Sequence, residues 1–239
     1  MKQITPYNND AAKKTQVEDM FDNIAPKYDL LNHVLSLKID VTWRNTLVKW
    51  LKKDQPKNIL DVATGTGDLA ITLQKGTGAK VTGFDLSQQM LNVGIEKMKK
   101  HGLGDKIEMI KGDAENMPFD DEQFDAVTAA FGVRNFETLE KGLAEMRRVV
   151  RSGSSVYILE FSKVEGFLAP FYMFYFKNIL PAIGRLISKD DRAYTYLPDS
   201  VNAFPYGETM KNILLNVGFS KVEYKKLTLG VATIYKATK

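Results

Sequence analysis

Cysteine is absent from this 239-residue chain, and histidine occurs only as His33 and His101. Without thiols there is no disulfide, no thiolate metal site and no cysteine nucleophile, and two separated histidines give no basis for an imidazole metal site. A one-signed charge excess is also missing. The 33 Lys and Arg residues against 29 Asp and Glu leave a net charge of +4, with both signs interspersed. A nucleic-acid binder would show a basic stripe with interleaved aromatics, and the Asn/Asp-Pro-Pro-aromatic motif that grips a base amino group does not occur. The first ten residues carry neither an apolar signal core nor an Arg/Ser-rich transit pattern, which predicts a cytoplasmic chain. Long apolar runs are lacking too. The most aromatic stretch, 166–188, is interrupted by Lys177 and Arg185 and punctuated by Pro170 and Pro181, so a membrane span is not expected. There is no internal repeat or low-complexity tract. At 44% hydrophobic and 26% charged residues, the length suits one α/β domain with a substantial core.

The segment Asp61-Val-Ala-Thr-Gly-Thr-Gly-Asp68 is the most informative one present. It follows the apolar Ile59-Leu60 and runs into Leu69-Ala-Ile-Thr-Leu73, which reads as strand, Gly-rich turn and helix start. Gly65 and Gly67 lack a Cβ, so backbone N–H groups there can approach a ligand closely. A second strand, Val81-Thr-Gly-Phe84, ends in Asp85 followed by Leu86, and an acid at that strand end suits both hydroxyls of a ribose. A nucleoside-containing cofactor is therefore predicted.

The pattern G-x-G-x-x-A fits both a nicotinamide dinucleotide and S-adenosylmethionine. Asp61 at the start of the turn would repel a pyrophosphate but can face the amino group of a methionine moiety. Asp113, in Lys111-Gly-Asp-Ala114, suits an adenine amino group, and Asp125–Phe131 is a fourth strand leading into Gly132-Val-Arg134-Asn135. This series resembles the class I S-adenosylmethionine-dependent methyltransferases.

Alternating strand and helix patterns from 57 to 162 predict a Rossmann-like, mostly parallel sheet, with its ligand at the carboxyl ends of the strands. Strands are expected near 58–62, 80–84, 106–110, 124–130 and 154–161, and helices beginning near 67, 87, 116 and 136. Residues 15–53 read as an N-terminal helical segment broken at Pro26. Residues 163–205 read as an inserted helical lid with six aromatics in 167–176, able to cover an apolar substrate or touch a bilayer. Residues 206–239 read as a closing helix through Met210–Val217 and two antiparallel edge strands.

Four further segments narrow the resemblance: Phe21–Asn32, Phe131-Gly-Val-Arg-Asn135, Leu159-Glu-Phe-Ser162 and Tyr194–Pro205. With the cofactor motifs, they make the chain similar to the demethylmenaquinone and ubiquinone-biosynthesis C-methyltransferase family from about residue 15 onward. The resemblance implies that Thr66, Asp85, Asp113 and Ala114 contact S-adenosylmethionine. It also implies that the substrate is a polyprenyl quinol, methylated on a ring carbon, with transient contact at the inner membrane surface. The family's ubiquinone branch often has Ser where this chain has Ala130, which points to the menaquinone branch.

Deprotonating a ring hydroxyl, with a pKa of about 10, makes the adjacent carbon nucleophilic. Arg134 is the candidate to favour that phenolate, Asn135 to orient the hydroxyl, and His33 is a third catalytic candidate. Tyr28, Phe131, Tyr194 and Tyr196 are the candidate substrate contacts. The bland alternatives are that Arg134 caps local carbonyls or pairs with Glu137, and that the tyrosines only pack. A nicotinamide oxidoreductase and a non-catalytic binding module remain the competing classes. A homodimer is left open, as are the ring type, the tail length and the group that takes the proton.

Overall fold

The computed structural model describes residues 4–7, 9–30, 36, 38–164 and 191–239. Its centre is a seven-stranded sheet in the order β3-β2-β1-β4-β5-β7-β6. The strands are β1 (Asn58–Val62), β2 (Lys80–Asp85), β3 (Ile107–Lys111), β4 (Phe124–Ala130), β5 (Val150–Phe161), β6 (Lys221–Leu227) and β7 (Ala232–Thr238). The first five run parallel, while β7 is antiparallel to both neighbours and lies between β5 and β6. This is the class I arrangement expected from the sequence. The strand order reverses between β1 and β4, so a crevice opens beyond their carboxyl ends.

Successive side chains of a strand point to opposite faces of the sheet. Leu60 and Val62 join Phe84, Val127 and Ile158 in one core with α5 (Leu139–Val149) and α7 (Glu208–Asn216). Ile59 joins Val81, Ala126 and Leu159 on the other face, under α2 (Ile39–Leu51) and α3 (Asp68–Thr77). A third cluster joins α1 (Lys13–Ile24) to Met90 of α4 (Gln88–Lys100) and to Tyr196 and Val201 of α6 (Asp191–Ala203). It closes the carboxyl end of the sheet.

One expected element is missing. Residues 112–123 form a connection without a helix. Pro118 has no N–H to give a helix, and the backbone finds other partners. Asp113 Oδ1 accepts from Glu115 N at 2.9 Å, and Glu145 of α5 accepts from Met117 N at 2.8 Å. Arg148 donates to the carbonyls of Phe119 and Met117. β5 also begins four residues earlier than its apolar pattern suggests, because Val150 pairs with Phe124 ahead of an irregularity in the ladder. Pro26 breaks the N-terminal segment as expected, within a short 3-10 turn over Ala25–Lys27. No helix among the described residues is long and apolar enough to cross a membrane.

Candidate active site at the carboxyl ends of the strands

The crevice is a cleft of about 750 Å³, counting the part open to solvent. Its walls are the turns after β1, β2, β3 and β4, and its cover is α1 with Tyr28. The turn after β1 takes left-handed backbone at Ala63 (φ 51°), Gly65 (φ 58°) and Gly67 (φ 81°), a conformation that glycine adopts without steric cost. Phe131, in the turn after β4, is also left-handed (φ 59°). A Cβ on Gly132 would sit 2.4 Å from the Ala63 Cβ, so the two turns meet only because residue 132 is glycine.

Asp85 anchors the glycine turn. Its Oδ2 accepts from Gly65 N at 2.7 Å and its Oδ1 from Ser87 N at 2.9 Å. Lost solvation raises its pKa, while the backbone N–H groups oppose the rise. Gly65, Asp85, Leu86, Asp113, Ala114, Tyr28, Phe131 and Asn135 all line the cleft. Tyr28 lies over Gly65, with its Cε1 3.9 Å from where a Cβ would stand, and packs edge-on against Phe21.

Asp61, Thr66 and Gly67 sit behind this wall. Asp61 is 1% exposed and accepts from the hydroxyls of Thr64 and Thr128, both at 2.6 Å. Burial lifts its pKa to about 6 against those two hydrogen bonds. Thr66 donates to Asp29, and Lys97 joins both while also pairing with Asp68. Arg44 pairs with Asp68 and Asp40 in turn. This network fastens the segment after α1 to the glycine turn. Gly67 abuts Met98, whose Cε lies 2.3 Å from an ideal Cβ.

Arg134 is not among the residues that line the cleft. Its Nη1 lies 2.8 Å from Glu160 Oε1 and also donates to the Phe131 carbonyl, and the guanidinium stands over the Phe161 ring. Glu160 is fully buried and also accepts from Phe161 N at 2.8 Å. Burial raises the Glu160 pKa, and the Arg134 charge counters it. The partner of Arg134 is thus Glu160, not Glu137. Tyr196 is 5% exposed, lies behind the cleft wall and donates to Asn135 Oδ1 at 3.1 Å. His33, the side chain of Tyr194 and the aromatic stretch 167–176 lie outside the described residues.

Lys13, Lys14 and Glu18 carry no mark of a site in the sequence. Lys13 of α1 donates to the carbonyls of Arg134 (3.3 Å) and Phe136 (2.7 Å), at a pKa lowered by burial. Lys14 pairs with Asp113 at 2.8 Å and Glu18 with Lys111 at 2.8 Å. On a lone amphipathic helix such charges read as a solvated face. Glu160 had a clearer mark, as an acid inside an otherwise apolar strand end.

The charge balance bears on the ligand. Among the described residues, Glu18, Asp85, Asp113, Glu115 and Glu137 line the cleft against one cation, Lys14. Such a lining opposes a pyrophosphate and suits a cationic ligand. A glycine without a Cβ beneath Tyr28 and a strand-end carboxylate fit a nucleoside bearing an attached cation. Among the described residues no group of His, Asp and Glu side chains is arranged to hold a metal ion.

A model of the ubiE/COQ5 methyltransferase family matches residues 9–239. A demethylmenaquinone methyltransferase of Bacteroides fragilis is 50% identical over 240 residues, covering 100% of this chain and 98% of the relative. A relative from Geotalea daltonii, named ubiquinone/menaquinone biosynthesis C-methyltransferase, is 44% identical and covers 95% and 97%. Among solved structures, the [4+2]-cyclase SpnF superposes with a TM-score of 0.72 at 15% identity, covering 99% of this chain and 97% of its own. At that identity the likeness speaks for the fold alone, since one fold hosts several chemistries.

Proposed function

The chain belongs to the ubiE/COQ5 methyltransferase family, and on that premise we propose that it transfers the methyl group of S-adenosylmethionine to a ring carbon of demethylmenaquinol, the last carbon addition in making menaquinol. The observation that carries the substrate is the 50% identity along the whole chain to a demethylmenaquinone methyltransferase. The acidic cleft supports the cofactor. When bound, S-adenosylmethionine supplies an electrophilic methyl group next to a positive sulfur.

The chain's own residues bind, align and exclude water. Asp85 accepts the ribose hydroxyls through lone pairs left free by its backbone partners. Asp113 and Ala114 hold the adenine edge. Asp61 acts from behind the wall, fixing the glycine turn through Thr64. α1 and Tyr28 cover the cleft, so the charges inside it act in a poorly screened medium. Phe131 offers a ring face to the quinol. Asn135 donates to the quinol oxygen beside the reacting carbon, and the donation strengthens as that oxygen gains negative charge. Arg134, held by Glu160, keeps the Asn135 turn in place and adds positive potential from behind it. The isoprenoid tail stays in the bilayer, so the chain works in transient contact with a membrane surface.

A second reading, action on both naphthoquinol and methoxy-benzoquinol rings, is favoured by the name of the G. daltonii relative. Mass spectrometry of the quinone pool in cells lacking the chain separates the two. Accumulation of demethylmenaquinone alone supports the first reading. An added unmethylated benzoquinone supports the second, and an unchanged pool contradicts both.

A further inference from the structure

We propose that Tyr196 is a positioning residue, whose hydroxyl fixes the Asn135 side chain so that its amide N–H pair faces the cleft and meets the substrate oxygen. The inference rests on the methyl-transfer reading above and adds a residue that the sequence marked only as a ring contact.

The argument begins with the Tyr196 proton. The residue is 5% exposed, and among the described residues its hydroxyl has one partner, Asn135 Oδ1 at 3.1 Å. A buried hydroxyl that cannot give its proton away loses free energy, so the amide oxygen must face the tyrosine. Burial lifts the Tyr196 pKa to about 12, so the hydroxyl keeps that proton at working pH. With Oδ1 turned to Tyr196, the Asn135 Nδ2 points the other way. Among the described residues it has no acceptor, and it is not a fully buried unpaired atom, a condition found there only at Arg134 Nε. Asn135 lines the cleft, so its free donor opens onto the cleft.

The surroundings hold this arrangement from three directions. Asn135 N donates to Gly132 O at 3.0 Å, within the turn after β4. Lys13, from α1, grips the carbonyls on both sides of Asn135. Tyr196, from α6, belongs to the same buried cluster as Val17, Met20, Ile24 and Met90. A donor fixed before substrate arrives needs no reorganisation when charge develops on the ring oxygen.

The test is a double-mutant cycle on the full chain, assayed with S-adenosylmethionine and a short-tailed demethylmenaquinol. Tyr196→Phe keeps the ring and removes only the hydroxyl, and is expected to lower kcat roughly tenfold while leaving cofactor affinity by calorimetry unchanged. The double variant Tyr196→Phe/Asn135→Ala should be no slower than Asn135→Ala alone. A wild-type kcat for Tyr196→Phe, or additive losses in the double variant, would overturn the proposal. Should Tyr196→Phe fail to fold, Asn135→Asp serves instead. It retains an acceptor for the Tyr196 hydroxyl but offers the cleft no donor, so it should melt like the wild type and be as slow as Asn135→Ala. A fast Asn135→Asp variant would overturn the proposal. Absence of methyl transfer by the wild-type chain would overturn the functional reading as well, whereas slow variants beside an active wild type bear on Tyr196 alone.

Discussion

Arg134 and Glu160 form a buried ion pair at 2.8 Å that joins the turn after β4 to the end of β5. The Phe-Gly-Val-Arg-Asn and Leu-Glu-Phe-Ser segments are therefore two halves of one contact. Arg134 also holds its own turn through the Phe131 carbonyl, and Glu160 accepts from the backbone N–H groups of Arg134 and Phe161.

Removing one partner leaves an uncompensated buried charge. Arg134→Leu is expected to destabilise the fold by about 3–5 kcal/mol, read from denaturant unfolding. The double variant Arg134→Leu/Glu160→Leu should regain most of that loss. Single-turnover methyl transfer by the double variant should still be slower than wild type, because the Asn135 turn loses its anchor and the positive charge behind it. A stable double variant with a near-normal rate would make the pair purely structural.

Asp85→Ala should weaken S-adenosylmethionine binding by on the order of 2–4 kcal/mol, since charge-assisted hydrogen bonds are lost in a partly desolvated cleft. Calorimetry on the folded variant checks this. Wild-type affinity would remove Asp85 from the cofactor site.

Asp61 gives a pH dependence with a definite sign. Its folded-state pKa is raised from 3.8 to about 6 by burial. The folded state holds the proton longer than the unfolded chain, so stability falls as pH rises from about 4 to about 6 and stays reduced above that. The penalty is on the order of 2–3 kcal/mol. Asp61→Asn should therefore melt higher than wild type at pH 7.5, and the difference should vanish near pH 4. Cofactor affinity should fall in the same variant. Equal melting temperatures across the range would contradict this.

The polar ties of α1 predict an openable cover. Lys14–Asp113 and Glu18–Lys111 are partly solvent-exposed pairs, and such pairs contribute little individually. Amide exchange over 13–24 should be faster than in β1 and β4, and should slow when S-adenosylmethionine binds. Protection that does not change on binding would mark a permanently packed helix.

The sequence made the sheet legible because its signals are local. Strand, glycine turn and helix follow one another from Ile59 to Leu73, and an acid closes β2. The turns after β1 and β2 were therefore readable, and they line the cleft. The helix expected near 116 failed because the partners that hold 112–123 open, Glu145 and Arg148, lie about thirty residues away. Arg134 pairs with Glu160, not with the sequence neighbour Glu137, for the same reason: the ladder between β4 and β5 brings them together. The roles of Lys13 and Tyr196 depend on where α1 and α6 dock, which the periodicity of either helix alone does not encode.

The most direct measurement follows the methyl group itself. Purified chain is incubated with methyl-tritiated S-adenosylmethionine and a short-tailed demethylmenaquinol, and the quinone fraction is counted and weighed by mass spectrometry. The account predicts one labelled methyl on a ring carbon per turnover, with no requirement for a nicotinamide. Label that stays in the aqueous phase, beside an intact and folded chain, would contradict it.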